Sequence, residues 1–158
     1  MPGAASSRPE VAPAQPHDLA ALSDLCLRSK AHWGYDDAFL DACREELSLG
    51  VRDLDLSTVG VIRGASGPLT VAQISVNGQA AQLDKLFVDP AAMGRGLGRA
   101  LFDWAVQIAR TSDTTHLRIE ADPDARPFYE RMGATVTGAA PSGSIPGRTL
   151  PVLTLELT

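Results

Sequence analysis

The chain is poor in cysteine and aromatic residues, lacks a long apolar run and carries no excess of positive charge. Two cysteines, Cys26 and Cys43, in 158 residues are too few for a disulfide framework. Both fall in predicted helices beside apolar residues, which makes buried reduced thiols the expectation over nucleophiles. No apolar stretch approaches the ~20 residues that span a bilayer. Met1 to Pro9 contain no apolar core of the kind a secretory signal needs. A cytoplasmic location without membrane contact is therefore expected. The net charge of −5 and pI near 5.1 argue against a broad nucleic-acid footprint. They leave room for a small anion site, because local charge can oppose net charge. No His/Cys/Asp/Glu spacing resembles a metal site. The length suits one domain over residues 1–158, with 1–7 expected to fray.

What is present is a mixed α/β pattern. A short strand is expected at Glu10–Ala12, with Arg8 at its edge and Pro13 closing it. Helices are expected over His17–Ala31 and about Asp36–Leu49, the second marked by Phe39, Cys43 and Leu47 at spacings of four. Strands follow at Thr58–Arg63, Thr70–Val76 and Gln82–Val88. Asn77-Gly78 is the hairpin signal between the last two. Leu97, Leu101, Trp104 and Ile108 line one face of the next helix. Leu117, Ile119 and Ala121 alternate in a strand, and a short helix covers about Ala125–Met132. Thr135–Thr137 and Leu150–Leu157 close the chain as β-prone stretches. The element order predicts an antiparallel front half and a crossover in the back half.

Glycines alternate at positions 94, 96 and 98 between a strand and a strongly amphipathic helix, with Arg95 and Arg99 beside them. Glycine lets backbone N–H groups approach a ligand closely. A helix N-terminus adds unpaired donors and a positive partial charge. Together they suit a pyrophosphate, and the arginines add charge-assisted hydrogen bonds. The dinucleotide fingerprint Gly-x-Gly-x-x-Gly fails at Arg99, and the Gly-Lys-Ser/Thr of a P-loop is absent.

The stretch from Leu83 to Gly98, with Val88-Asp89-Pro90 followed by Met93-Gly94-Arg95-Gly96-Leu97-Gly98, resembles motif A of the GNAT superfamily of acyl-CoA N-acyltransferases. The stretch Asp122-Pro123-Asp124-Ala125-Arg126-Pro127-Phe128-Tyr129, continuing to Gly133-Ala134, resembles that family's second motif. Met93 stands where Gln or Arg is usual, Asp122 where Asn is common, and Ala134 where an aromatic is. A carboxylate beside a polyanionic cofactor is unfavourable unless it is paired. The resemblance implies a GNAT fold: a mixed, largely antiparallel sheet splayed between its fourth and fifth strands, with helices on both faces. It also implies acetyl transfer from acetyl-CoA to an amine of a small molecule or peptide.

On that reading Leu86, Phe87 and Val88 hold the pantetheine arm, and the N–H of Val88 polarises the thioester carbonyl. Met93 through Arg99 hold the pyrophosphate, with Asp122 and Phe128 as further cofactor contacts. Tyr129 protonates the departing thiolate. Glu120 and Asp84 are the candidate bases. Ser29-Lys30-Ala31-His32-Trp33-Gly34-Tyr35 gathers one of two Trp, one of two Tyr and one of three His. With the late loop carrying Ser144 and Arg148, it is the candidate acceptor wall, and His32, Trp33 and Tyr35 are its candidate contacts. Arg148 is suited to pairing with an acceptor carboxylate. A non-catalytic acyl-CoA-binding module and a protein-interaction domain without CoA are the alternatives. Homodimerisation through a terminal edge strand is compatible with such a fold.

Overall fold

The structure is a computed structural model that describes residues 9–157. Part of the expected first strand, Arg8, and the stretch expected to fray lie outside that range. A single seven-stranded sheet organises the molecule. In chain order the elements are β1 (Ala12–Pro13), α1 (Leu19–Ala31), α2 (Asp37–Leu47), α3 (Val51–Leu56), β2 (Thr58–Gly64), β3 (Gly67–Asn77) and β4 (Ala80–Val88). Then follow α4 (Leu97–Thr111), β5 (His116–Glu120), α5 (Arg126–Arg131), β6 (Thr135–Pro141) and β7 (Thr149–Glu156). The spatial order is β1-β2-β3-β4-β5-β7-β6. Every neighbouring pair is antiparallel except β4 and β5, which run parallel. The right-handed helix α4 makes the crossover between them that a parallel pair requires.

The two faces of the sheet carry different cores. On one, Leu22, Leu25 and Cys26 of α1 and Cys43 and Leu47 of α2 pack on Val59, Val61 and Val71. On the other, Phe102, Ala105 and Ala109 of α4 and Tyr129 of α5 pack on Ile74, Leu83, Leu117 and Ile119. Both cysteines are free and buried. Burial pushes the Cys26 thiol up to about 12, against the pull of the Lys85 charge, so it stays protonated and inert.

Several elements differ from the sequence expectation. The first strand is Ala12–Pro13 and includes the proline expected to end it. An edge strand tolerates proline because the missing N–H faces outward. A 3₁₀ turn, Pro16–Asp18, precedes α1, which begins at Leu19. Helix α2 stops at Leu47, and α3 is an additional helix whose start is fixed when Asp53 accepts from the Gly50 N–H at 2.8 Å. Six residues are too few to display a helical period. In the β3–β4 hairpin Asn77 is the last strand residue, paired with Ala80, and only Gly78 takes positive φ, at 65°. No helix among the described residues is long and apolar enough to cross a membrane.

Candidate active site

The register of β4 makes the site. On its β3 side the strand is paired from Ala80 to Val88. On its β5 side pairing stops at Leu83, opposite Ile119. Between Leu83 and Lys85 the register slips by one residue, so Asp84 is a β-bulge. A bulge bends its strand and sharpens the local twist, and this one falls where pairing with β5 ends. The Asp89 N–H donates to the Leu69 carbonyl at 2.8 Å on the β3 side. Strand alternation then turns the N–H groups of Val88 and Leu86 into the opening.

The turn beyond β4 is braced from both ends. Asp89 accepts from the Ala91 N–H at 3.0 Å and from Arg28 Nη2 of α1 at 2.7 Å. Gly94 and Gly96 take φ of 83° and 77°, left-handed values that side chains resist. A Cβ at either position would meet nothing within 4 Å, so the surface there is open. Gly96 caps α4, and the first N–H groups of that helix have no carbonyl ahead of them. Gly98 has another reason: a Cβ there would lie 3.3 Å from the Phe128 ring. It lets α4 and α5 approach.

A cleft of about 750 Å³ runs through the splay. One side is walled by Leu86, Phe87, Val88, Met93, Gly94, Gly96, Leu97, Gly98 and Arg99, and is closed by Phe128 and Tyr129. Arg95 stands on the same turn but exposed and outside the lining. Tyr129 is buried against Phe102 and Phe128, with ring centroids 5.9 and 5.1 Å away. Burial pushes its hydroxyl well above the usual tyrosine range, so it holds its proton at neutral pH.

The cleft continues past Asp84 and Glu120 to Ser29, Lys30, Trp33, Glu46 and Leu150. The Asp84 side chain opens into the cleft, yet protein crowds it closely. That crowding pushes its carboxyl up, the Ser75 hydroxyl and Lys85 pull it down, and Asp53 and Glu120 push it up again. Glu120 is paired with Arg118, which also reaches Gln82 of β4 at 3.3 Å.

Asp122 lines the cleft, but its carboxylate is committed elsewhere. One oxygen accepts from the Asp124 N–H at 2.9 Å. The other accepts from Lys30 Nζ at 2.9 Å and the Tyr35 hydroxyl at 2.8 Å. Arg148 Nη2 donates to the Tyr35 oxygen at 2.9 Å and lies 3.4 Å from Asp122. Burial alone would push the Asp122 carboxyl up, but the Lys30 bond and charge, the Asp124 N–H and the Tyr35 hydroxyl hold it below the usual range. So the carboxylate that looked unfavourable is paired.

Of the expected acceptor-side residues, Trp33 lines the cleft and is 46% exposed. His32 stands outside it, edge-on to Trp33 at 5.7 Å. Tyr35 and Arg148 lie outside the lining, bonded to each other and to Asp122. Ser144 donates to Glu46 of α2. Sequence reasoning passed over Lys30, Glu46 and Lys85. Lys30 lay inside the Ser29–Tyr35 stretch, and the need of Asp122 for a partner was the signal for it. Glu46 carried none, because a helical glutamate is ordinary. Lys85 donates to Gln73 at 3.1 Å, a half-buried contact with no sequence mark.

The sheet thus opens beside the N-terminus of α4, with Tyr129 lining the opening. Residues 55–141 match the family model described as the acetyltransferase (GNAT) domain, and the chain belongs to that family. A 73-residue stretch is 36% identical to peptidyl-lysine N-acetyltransferase YjaB of Salmonella typhimurium. That stretch spans 46% of this chain and 48% of the relative, about half of each. The crystal structure of a GCN5-related N-acetyltransferase from Rhodopseudomonas palustris superimposes with a TM-score of 0.80 at 21% identity, covering 96% of this chain and 97% of that one. PaiA N-acetyltransferase from Thermoplasma acidophilum, solved with coenzyme A, gives 0.74 at 15% identity over 93% and 98%. These likenesses bear out the expected GNAT fold, a mixed sheet with helices on both faces.

Proposed function

We propose that the chain transfers an acetyl group from acetyl-CoA to a primary amine of a small molecule or peptide by direct attack. The observation that carries this is the departure of β4 from β5 beyond Leu83, next to the glycine-lined start of α4. The pantetheine arm lies along Leu86–Val88 and takes the place of the missing strand. The pyrophosphate sits on the turn from Met93 to Arg99, with Arg95 reaching in from its rim, and Phe128 packs against the bound arm. The Asp122 carboxylate, taken up by Lys30, Tyr35 and the Asp124 N–H, does not serve the cofactor.

The amine nitrogen attacks the thioester carbonyl, and the Val88 N–H stabilises the developing oxyanion. Collapse breaks the C–S bond and Tyr129 gives its proton to the leaving thiolate, while the acylated nitrogen sheds its extra proton, which through water restores that of Tyr129. A lysine-like amine with pKa ~10.4 must first lose a proton, at a cost of roughly 4 kcal/mol near pH 7.4. Asp84 is the better placed base, since Glu120 is held by Arg118 while Asp84 is pushed toward neutrality. The relative named for peptidyl-lysine favours a lysine-like acceptor. Trp33 offers such an amine an apolar face, and Glu46 offers a counter-charge.

The test is calorimetric titration of acetyl-CoA into wild type, Gly96→Asn and Gly96→Asp. Asn and Asp both tolerate left-handed φ and share a shape, so the pair differs chiefly in charge. Wild type is expected to bind at micromolar concentrations and the Asn variant about as well. The Asp variant should bind at least ~10-fold more weakly than the Asn variant, since 1.4 kcal/mol of repulsion suffices. Equal affinities would remove the pyrophosphate from this turn, and no wild-type binding would remove acetyl-CoA.

A further inference from the structure

Asp122 joins parts of the chain that are far apart in sequence: α1 through Lys30, the loop after α1 through Tyr35, and the loop before β7 through Arg148. The Tyr35 ring stacks on Phe39 of α2, with centroids 4.0 Å apart and planes at 7°. Both cations stand against this aromatic pair. Lys30 Nζ lies 5.4 Å and Arg148 Cζ 5.4 Å from the Tyr35 ring centre, within cation–π range. Two cations and one carboxylate leave one positive charge over, which the ring faces help to hold. The cluster is partly buried, with the Lys30 and Asp122 side chains each 12% exposed and Arg148 19%. Partners this enclosed depend on one another, because removing one leaves the others with less to replace it than an exposed pair would have.

The loop before β7 is docked at two further points. Ser144 donates to Glu46, and Ile145 packs with the core of α1 and α2. The loop is also folded on itself, with the Ser142 hydroxyl accepting from Ser144 and Ile145 N–H groups at 3.2 and 3.1 Å. Leu150 just beyond it and Trp33 just before Tyr35 both line the cleft.

We propose that Asp122 is a positioning residue. Its carboxylate latches the loop after α1 to the loop before β7 through Lys30, Tyr35 and Arg148, and so shapes the acceptor wall without holding the cofactor. The name acceptor wall rests on the function proposed above; the latch rests on the contacts alone.

Hydrogen–deuterium exchange of the full chain, read by mass spectrometry for wild type, Asp122→Asn and Tyr35→Phe, tests this without knowledge of the acceptor. In Asp122→Asn, peptides covering 32–40 and 142–149 should exchange together at least about 10-fold faster, while α4 and β3 keep their protection. Tyr35→Phe removes the hydroxyl that bridges Arg148 to Asp122, leaving Arg148 only its direct 3.4 Å contact with that carboxylate, and is expected to show the same joint effect, smaller. Acetyl-CoA affinity by calorimetry should change by less than about threefold in both variants. Faster exchange in one loop only, or uniformly across the chain, would overturn the latch. So would a large loss of acetyl-CoA affinity with both loops unchanged, which would return Asp122 to the cofactor. Should Asp122→Asn not fold, Tyr35→Phe decides by the same criteria. If wild type binds no acetyl-CoA, the transferase reading fails and the exchange data still judge the latch.

Discussion

Tyr129 owes its chemistry to its neighbours. Phe102 and Phe128 exclude water from it, and that exclusion keeps the hydroxyl protonated far above neutral pH. A group that never ionises in the working range serves only as an acid for a base formed beside it, and a departing thiolate is such a base. Tyr129→Phe keeps the packing and deletes the proton. Turnover across an amine panel is expected to fall about 100-fold with acetyl-CoA affinity unchanged, the size expected of one general acid. A variant that turns over at the wild-type rate would leave Tyr129 as a core aromatic. The glycines of the turn show what could be read in advance at this scale. The alternating glycine run before a helix marked a turn where backbone can approach a ligand closely, and the structure adds the left-handed φ at Gly94 and Gly96. The role of Gly98 as a seat for Phe128 was not marked, because the ring comes from another element.

Among elements, β4 carries the function, and its decisive feature is one extra residue. The bulge at Asp84 sets which side chains of Lys85–Val88 face each layer and falls where the departure from β5 begins. Since side chains alternate with a period of two, removing one residue turns all that follow to the other face. Deletion of Asp84 should therefore abolish acetyl-CoA binding at about 1 mM, a loss of 4 kcal/mol or more from micromolar affinity. Far-UV circular dichroism should report a retained fold. Wild-type affinity in the deletion would mean that the splay does not depend on the bulge. A bulge leaves no mark in a strand that already mixes polar and apolar residues, so this feature was hidden. The strands and the long helices were legible because their periods repeat over enough residues. Helix α3 was not, being six residues long and started by a backbone-to-Asp53 bond that resembles an ordinary turn.

For the molecule as a whole, contacts remote in sequence decide both shape and pH response, and no local pattern reports them. The Lys30–Asp122 and Tyr35–Arg148 bonds cross 92 and 113 residues. The pairing of Asp18 with Arg63 is of the same kind and ties the N-terminal turn to β2. Both guanidinium nitrogens donate to the carboxylate at 2.7 Å, and the Gln15 N–H donates to it at 2.7 Å. Asp18 is only 3% exposed. The Arg63 bond outweighs burial and holds its carboxyl down at about 2, against 3.8 for an unperturbed one. A carboxyl depressed on folding stabilises above its unfolded pKa, and that stability is lost as pH falls through the folded value. The difference is worth about 2 kcal/mol at neutral pH. Asp18→Asn should lower unfolding free energy by about that amount at pH 7, and the gap to wild type should shrink to about half at pH 3. Urea unfolding of both proteins at the two pH values measures it. A gap of the same size at both would mean that packing around the turn, and not the charge on Asp18, holds the N-terminal segment to the sheet.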